Sequence, residues 1–130
     1  MAHSRGIILL CHGSRDPAWI APFRAIRDDL AAEASPTEVR IACLQFGVPS
    51  LEDSARELYR KGVRCISVVP MFMSRGGHVA RDVPTQLEAL QEAFPGLELC
   101  LLPSLGEMPG VRKAITRAVL EGLDRPGSVC

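Results

Sequence analysis

No charge of one sign dominates this 130-residue chain, in which fifteen Lys and Arg offset fifteen Asp and Glu. Without a basic excess there is no chain-wide electrostatic footprint for nucleic acid or an anionic membrane, so any anion binding has to be local. Long apolar runs are also missing. No segment approaches the ~20 residues that cross a bilayer, and Met1 to Arg5 carries no signal-peptide pattern, so the expected location is the cytoplasm. Paired cysteine motifs are absent as well: Cys11, Cys43, Cys65, Cys100 and Cys130 are odd in number and well separated, with no CxxC. The first four lie in apolar, strand-like runs where a thiol behaves as a small buried hydrophobe. They are therefore expected in the core of a protein from a reducing compartment, not in disulfides or a zinc site. Lysine is scarce, and thirteen of the fifteen cations are arginine. That suits a bidentate grip on carboxylates or phosphates, although composition alone decides little.

What is present is apolar material, 47% of the residues, enough for one packed core. The reading is a single domain over 1–130, with its core at about 6–123 and a flexible tail at 124–130. Gly6 to Cys11 is a short, continuously apolar run, as in a strand buried on both faces. Asp16 and Pro17 then offer an N-cap and a first-turn proline for a helix carrying Trp19, Phe23, Ile26 and Leu30. Val39 to Phe46 reads as a second strand, with Arg40 marking it as an edge. Pro49 and Ser50 open a helix with Leu51, Ala55, Leu58 and Tyr59, which Gly62 ends. Arg64 to Val69 is a buried third strand stopping at Pro70. A helix from about Asp82 carries Val83, Leu87, Leu90 and Phe94 up to Pro95-Gly96. Leu97 to Leu102 is a fourth strand with Glu98 as an edge signal, and Val111, Ile115 and Val119 define a last amphipathic helix.

Strands alternating with helices imply right-handed βαβ units and an α/β fold with one four-stranded parallel sheet. With the first and third strands central, the order is 2-1-3-4, helices cover both faces, and a ligand crevice opens at the carboxyl ends of strands one and three. His12 follows the first strand immediately, and His78 follows the third after an irregular connection. Two imidazoles sharing one metal at ~2.1 Å need ring nitrogens only a few ångströms apart, which adjacent loops can provide. Each histidine taken singly reads more readily as a loop or capping residue than as a ligand; their joint placement at the crevice brings a shared metal level with that reading. His3, near the start, is expected to be solvated.

The flanking residues repeat a theme, His12-Gly-Ser-Arg15 and Ser74-Arg-Gly-Gly-His78. Gly13, Gly76 and Gly77 let backbone N–H groups approach an anion, while Ser14, Ser74, Arg15 and Arg75 can bond carboxylates. The bland alternative is turn glycines with solvated arginines. Met71, Phe72 and Met73 fit core packing first and a crevice wall second. Asp82 is foremost an N-cap and less strongly a support for His78.

These segments, LLCHGSRDP (Leu9 to Pro17), PSL (Pro49 to Leu51) and PMFMSRGGHVARDVP (Pro70 to Pro84), closely resemble the short sirohydrochlorin chelatases of the CbiX family, over about Gly6 to Gly106. The resemblance implies a flavodoxin-like class II chelatase half and no organic cofactor. It also implies His12 and His78 as ligands for a divalent metal substrate (Co²⁺, Fe²⁺ or Ni²⁺) and an acidic tetrapyrrole as the second substrate; of the two histidines, His12 is the better catalytic base because it leaves a rigid strand end. Ser14, Arg15, Met73, Ser74, Arg75, Gly76 and Gly77 would then contact that macrocycle. A homodimer is implied too, because longer relatives hold two such halves in one chain. Where the family usually has glutamate at the end of the second strand, this chain has Gln45, which carries no negative charge but could still offer its carbonyl oxygen to a metal. Two rivals follow from the same residues. One is a non-catalytic metal or tetrapyrrole carrier; the other is a histidine phosphatase, whose pattern expects arginine where Cys11 stands.

Overall fold

The computed structural model describes residues 4–74, 76 and 81–127. The first apolar run forms β1, Arg5–Cys11, with parallel partners on both sides, β2 at Glu38–Cys43 and β3 at Cys65–Pro70. The fourth strand, β4 at Glu98–Leu101, pairs with β3, so the order is β2-β1-β3-β4, as the charge pattern predicted. Ile8 and Leu10 at the centre of β1 are completely buried, which explains why that strand shows no alternation. Arg40, the edge marker on β2, pairs with Glu38 at 3.0 Å and Glu57 at 3.4 Å at the rim of the sheet.

Strand β2 is shorter than its apolar pattern, which ran on to Phe46. It ends at Cys43 because Phe46 has a φ of +52°, outside the extended region, and the N–H groups of Leu44 and Gln45 donate to the Cys11 and His12 carbonyls. Asp16 and Pro17 also act differently from expectation. The Asp16 carboxylate accepts from the Ala18 N–H at 2.9 Å, but what it caps is a 3-10 turn, Pro17–Ile20, from which the helix α1 continues over Ala21–Ala34. The next helix, α2 at Leu51–Arg60, starts as anticipated, with the Ser50 hydroxyl accepting from the Asp53 N–H at 3.1 Å. Gly62, at φ +93°, takes the chain out of it. Asp82 stands at the N-cap of α3, Val83–Ala93, yet makes no side-chain cap bond, its backbone having already turned helical.

The core is split by the sheet. On one face α2 and α3 press Leu51, Ala55, Leu58, Val83, Leu87 and Leu90 against Ile8, Leu10, Ile66 and Val68. On the other, α1 lays Phe23 and Leu30, with Trp19 and Ile20 ahead of it, over Leu9, Val39 and Ile41, and Leu105 packs beside Val69 and Met71 at the end of β3. The last helix, α4 at Pro109–Leu123, has no buried residue. The apolar positions that mark it as a helix stay on its surface, with Ile115, Val119, Leu120 and Leu123 42–59% exposed. The cysteine expectation holds in part: Cys11 and Cys43 are buried, but Cys65 is only half-buried and Cys100 is exposed, since among the described residues no helix lies over the β4 end of that face. Among the described residues no helix is long and apolar enough to cross a membrane.

Candidate functional site

Because β1 and β3 run in register up to Leu10 and Pro70, two further residues on each strand bring His12 beside Phe72. Their rings stack, centroids 4.0 Å apart at an interplanar angle of 28°. Phe72 is 5% exposed and anchored in the α2–α3 core, so it gives the exposed imidazole a rigid floor at the carboxyl edge. The His12 backbone is held as well, its carbonyl accepting from the Gln45 N–H at 3.0 Å. Gln45 thus lies next to His12 through the main chain, at the exposed end of the β2 connection. His78, Arg75 and Gly77 lie outside the described residues, as do His3 and Cys130. Among the described residues no three His, Cys, Asp or Glu side chains converge on a common point.

Gly13 makes this junction possible. Its φ is +90°, and a Cβ built there would sit 1.7 Å from the Gln45 carbonyl oxygen. Only a residue without a side chain lets the β1 and β2 connections cross so closely. Two residues on, the Arg15 guanidinium lies 4.6 Å from the centre of the Phe46 ring, a cation–π contact that holds a positive charge over the crevice rim. Among the described residues Arg15 has no acidic partner. The hydroxyls of Ser14 and Ser74 accept from the backbone N–H groups of Asp16 and Gly76, at 3.1 and 3.4 Å. Each therefore keeps its own proton to donate to an anion.

The methionine and aromatic triplet after β3 divides. Met71 and Phe72 are core residues, on opposite faces of the sheet, whereas Met73 is 65% exposed. Exposed too are Phe46 and Val48, which the sequence reading had not singled out. Its available signal was Phe46-Gly-Val-Pro49, an apolar stretch broken by glycine and proline just past a strand. Together with Met73 they give the carboxyl edge an apolar rim beside a fixed cation, a combination that suits a flat ligand with acidic margins. Gly106 supports Met73 from beneath. Its N–H donates to the Phe72 carbonyl at 3.0 Å, and an added Cβ would overlap the Met73 backbone. A separate cleft of about 300 Å³ opens between α2 and α3, lined by Cys43, Leu44, Ser50, Glu52 and Gln86. It lacks His12 and Arg15 and is small for a macrocycle, so the exposed edge is the better seat.

Beneath His12, burial raises the Cys11 thiol from its usual 9 to about 12, with Cys43 alongside adding to the rise, and burial raises Cys43 too. Neutral thiols are poor nucleophiles and poor metal ligands, so both belong to the core. In the unfolded chain Cys11 ionises near pH 9, whereas in the fold it keeps its proton to about pH 12. Its contribution to stability is therefore complete below about pH 9 and is lost as pH rises towards 12, by at most about 1.4 kcal/mol per pH unit. Urea midpoints taken from pH 7 to 11 should fall more steeply above pH 9 in the parent than in Cys11→Ala. Parallel slopes would show that the thiol ionises normally.

A parallel 2-1-3-4 sheet defines an open-sheet, flavodoxin-like α/β protein, a class whose ligands bind at the carboxyl edge of the sheet, where His12 and Arg15 stand. More narrowly, the chain belongs to the CbiX family, whose model matches residues 6–122. It is 32% identical over 122 residues to a sirohydrochlorin cobaltochelatase of Saccharolobus islandicus (strain L.S.2.15), covering 89% of this chain and 94% of the relative. Among solved structures, the CbiX protein of Marinobacter aquaeolei VT8 superposes with a TM-score of 0.82 at 31% identity, over 94% of this chain and 99% of that one. SirB from Bacillus subtilis with Fe³⁺ shares the fold at a TM-score of 0.78 and 21% identity, with 95% of this chain covering 48% of that one.

Proposed function

We propose that this chain is a sirohydrochlorin chelatase, inserting Co²⁺ or Fe²⁺, with Ni²⁺ a third candidate, into an acidic tetrapyrrole, and that it works as a homodimer in the cytoplasm. The observation that carries the proposal is His12, exposed at the carboxyl edge on a buried Phe72, within a chain of the CbiX family. The name of the Saccharolobus relative supplies the reaction. The apolar rim of Phe46, Val48 and Met73 and the Arg15 guanidinium, which has no acidic partner among the described residues, suit a flat macrocycle with carboxylate margins. The span of this chain, 48% of the Bacillus protein, supports a second copy standing in for a second half. Unpaired cysteines support a reducing compartment.

In this reading His12 and His78 hold the divalent metal substrate, with the Gln45 carbonyl oxygen within the same set of donors. Ser14, Arg15, Met73, Ser74, Arg75, Gly76 and Gly77 seat the macrocycle. Insertion forms metal–nitrogen bonds while two pyrrole N–H protons leave, so the divalent cation enters and two protons depart. A neutral imidazole either ligates or accepts a proton through a given nitrogen. The base and ligand roles of His12 therefore compete for one nitrogen, and His12 is the better-placed base of the two histidines because it leaves a rigid strand end. Imidazole binds iron, cobalt, nickel and zinc alike, so metal choice rests on supply and on the seat of the macrocycle.

Anaerobic incubation of sirohydrochlorin with Co²⁺, Fe²⁺ and Ni²⁺ separately, followed by the visible spectrum, tests the proposal. Faster conversion than in enzyme-free controls is expected with at least one ion, and no acceleration with any of them overturns it. A carrier remains as a second reading because Gln45 replaces the family's usual glutamate. In Gln45→Glu, a catalyst impaired by that replacement gains turnover by about 10-fold or more, within the range a positioned carboxylate provides. Binding without turnover in both forms identifies the carrier.

A further inference from the structure

Phe46 stands in the left-handed region, with a φ of +52°, where a bulky side chain is disfavoured and glycine or asparagine is the usual occupant. The chain around it enforces that conformation. The Cys43 N–H donates to the Pro49 carbonyl at 2.9 Å, the Leu44 N–H to the Cys11 carbonyl at 2.9 Å and the Gln45 N–H to the His12 carbonyl at 3.0 Å. Gly13 lies against the Gln45 carbonyl, and Gly47 against the Cys43 sulfur, which is 2.9 Å from where a Cβ would stand. A turn fixed on both sides in this way keeps its middle residue strained whatever the side chain.

The fold gains little from phenylalanine at this position. Among the described residues Phe46 packs into neither half of the core, and it is 51% exposed. Its neighbour Leu44, by contrast, packs against the α2–α3 core. The Phe46 ring meets the Arg15 guanidinium, 4.6 Å from the ring centre, and cation–π pairs at exposed sites are weak. An exposed aromatic ring on a strained backbone, at the carboxyl edge of a parallel sheet, is a cost that folding does not offset. Such costs gather where ligands bind.

We propose that Phe46 is a specificity-determining residue, an aromatic platform on which one pyrrole ring of the macrocycle stacks while Arg15 takes a carboxylate attached to that ring. The inference rests on the chelatase reading and adds the feature by which the site selects its substrate, a conjugated ring with an acid at its margin. Offset stacking uses the open part of the Phe46 ring. A guanidinium held over the same ring presents its forked N–H donors at the edge, where a peripheral carboxylate accepts two of them. The Ser14 hydroxyl, which accepts from the Asp16 N–H at 3.1 Å, has its own proton to donate beside Arg15. Val48 and Met73, both largely exposed, extend the apolar surface under the rest of the macrocycle. Because the turn is fixed before the ligand arrives, no ordering of a loop opposes binding. Asparagine would suit the backbone better and the ligand worse.

Stability and binding should therefore move in opposite directions on substitution, which a purely structural residue would not show. Phe46→Asn, whose side chain tolerates the left-handed region, should raise the urea midpoint by roughly 0.3 M. The same variant should bind metal-free sirohydrochlorin roughly three- to tenfold more weakly, the loss of one aromatic stack. Binding is read from the visible spectrum without added metal, so it does not depend on turnover. Phe46→Trp keeps an aromatic face and should bind within about twofold of the parent. Unchanged binding in Phe46→Asn overturns the proposal. So does a lower urea midpoint in that variant, which would mean that the fold itself needs the ring. Equal weakening in Phe46→Asn and Phe46→Trp overturns it too, since the aromatic face would then not be what the ligand meets. In each of those cases the parent still binds the tetrapyrrole, and the chelatase reading stands. If the parent itself fails to bind sirohydrochlorin, both readings fall; if it binds without inserting any ion, the carrier reading prevails and the platform is retained.

Discussion

Substitution of His12 by alanine is expected to bring metal insertion into sirohydrochlorin down to the enzyme-free background, a loss of about 100-fold or more. General acid–base groups supply about 10²- to 10⁴-fold, and His12 would lose a metal-ligand role as well. Its imidazole is exposed, so the protein should remain folded, paying only the Phe72 stack, about 0.5–1.5 kcal/mol. Visible spectra with Co²⁺ or Fe²⁺ measure the rate, and urea titration measures the fold. His78→Ala should fall to the same background if the two histidines share one ion. Full activity in His12→Ala with an unchanged urea midpoint would show that this imidazole is a bystander and would remove the centre of the functional reading.

Gly13→Ala is expected to be the most damaging change that deletes no functional group. The Cβ would overlap the Gln45 carbonyl oxygen at 1.7 Å, backbone against backbone, at a φ of +90°. Neither atom belongs to a flexible side chain, so the β1 and β2 connections must separate. A cost of about 3 kcal/mol or more follows from combined left-handed strain and overlap. The hydrogen bond from the Gln45 N–H to the His12 carbonyl crosses the same junction. Insertion activity should therefore fall even where the variant remains folded. A urea-derived loss below about 0.5 kcal/mol would show that the two connections move apart freely.

The expectations that failed have a common location. Cys65 and Cys100, read as core thiols, lie on the face of the sheet that α1 covers only in part. Each was recognised correctly as part of an apolar run, but such a run states only that a face needs a partner. It is silent on how far along the sheet that partner reaches. Phe46 was missed for a related reason. Its exposure follows from the turn after Cys43 and from the Gly13–Gln45 crossing, neither of which is written in the local pattern.

Residue order alone determined the element succession, the edge positions of β2 and β4, and the placement of His12 at a carboxyl strand end. These depend on side-chain period, on charges that cannot be buried between strands, and on the handedness of βαβ connections, all of which are local or topological. Tertiary structure alone decided that His12 rests on Phe72, that Arg15 lies over Phe46, and that α4 buries none of its residues. Those outcomes depend on distances between segments far apart in the chain, which packing sets and sequence spacing does not encode.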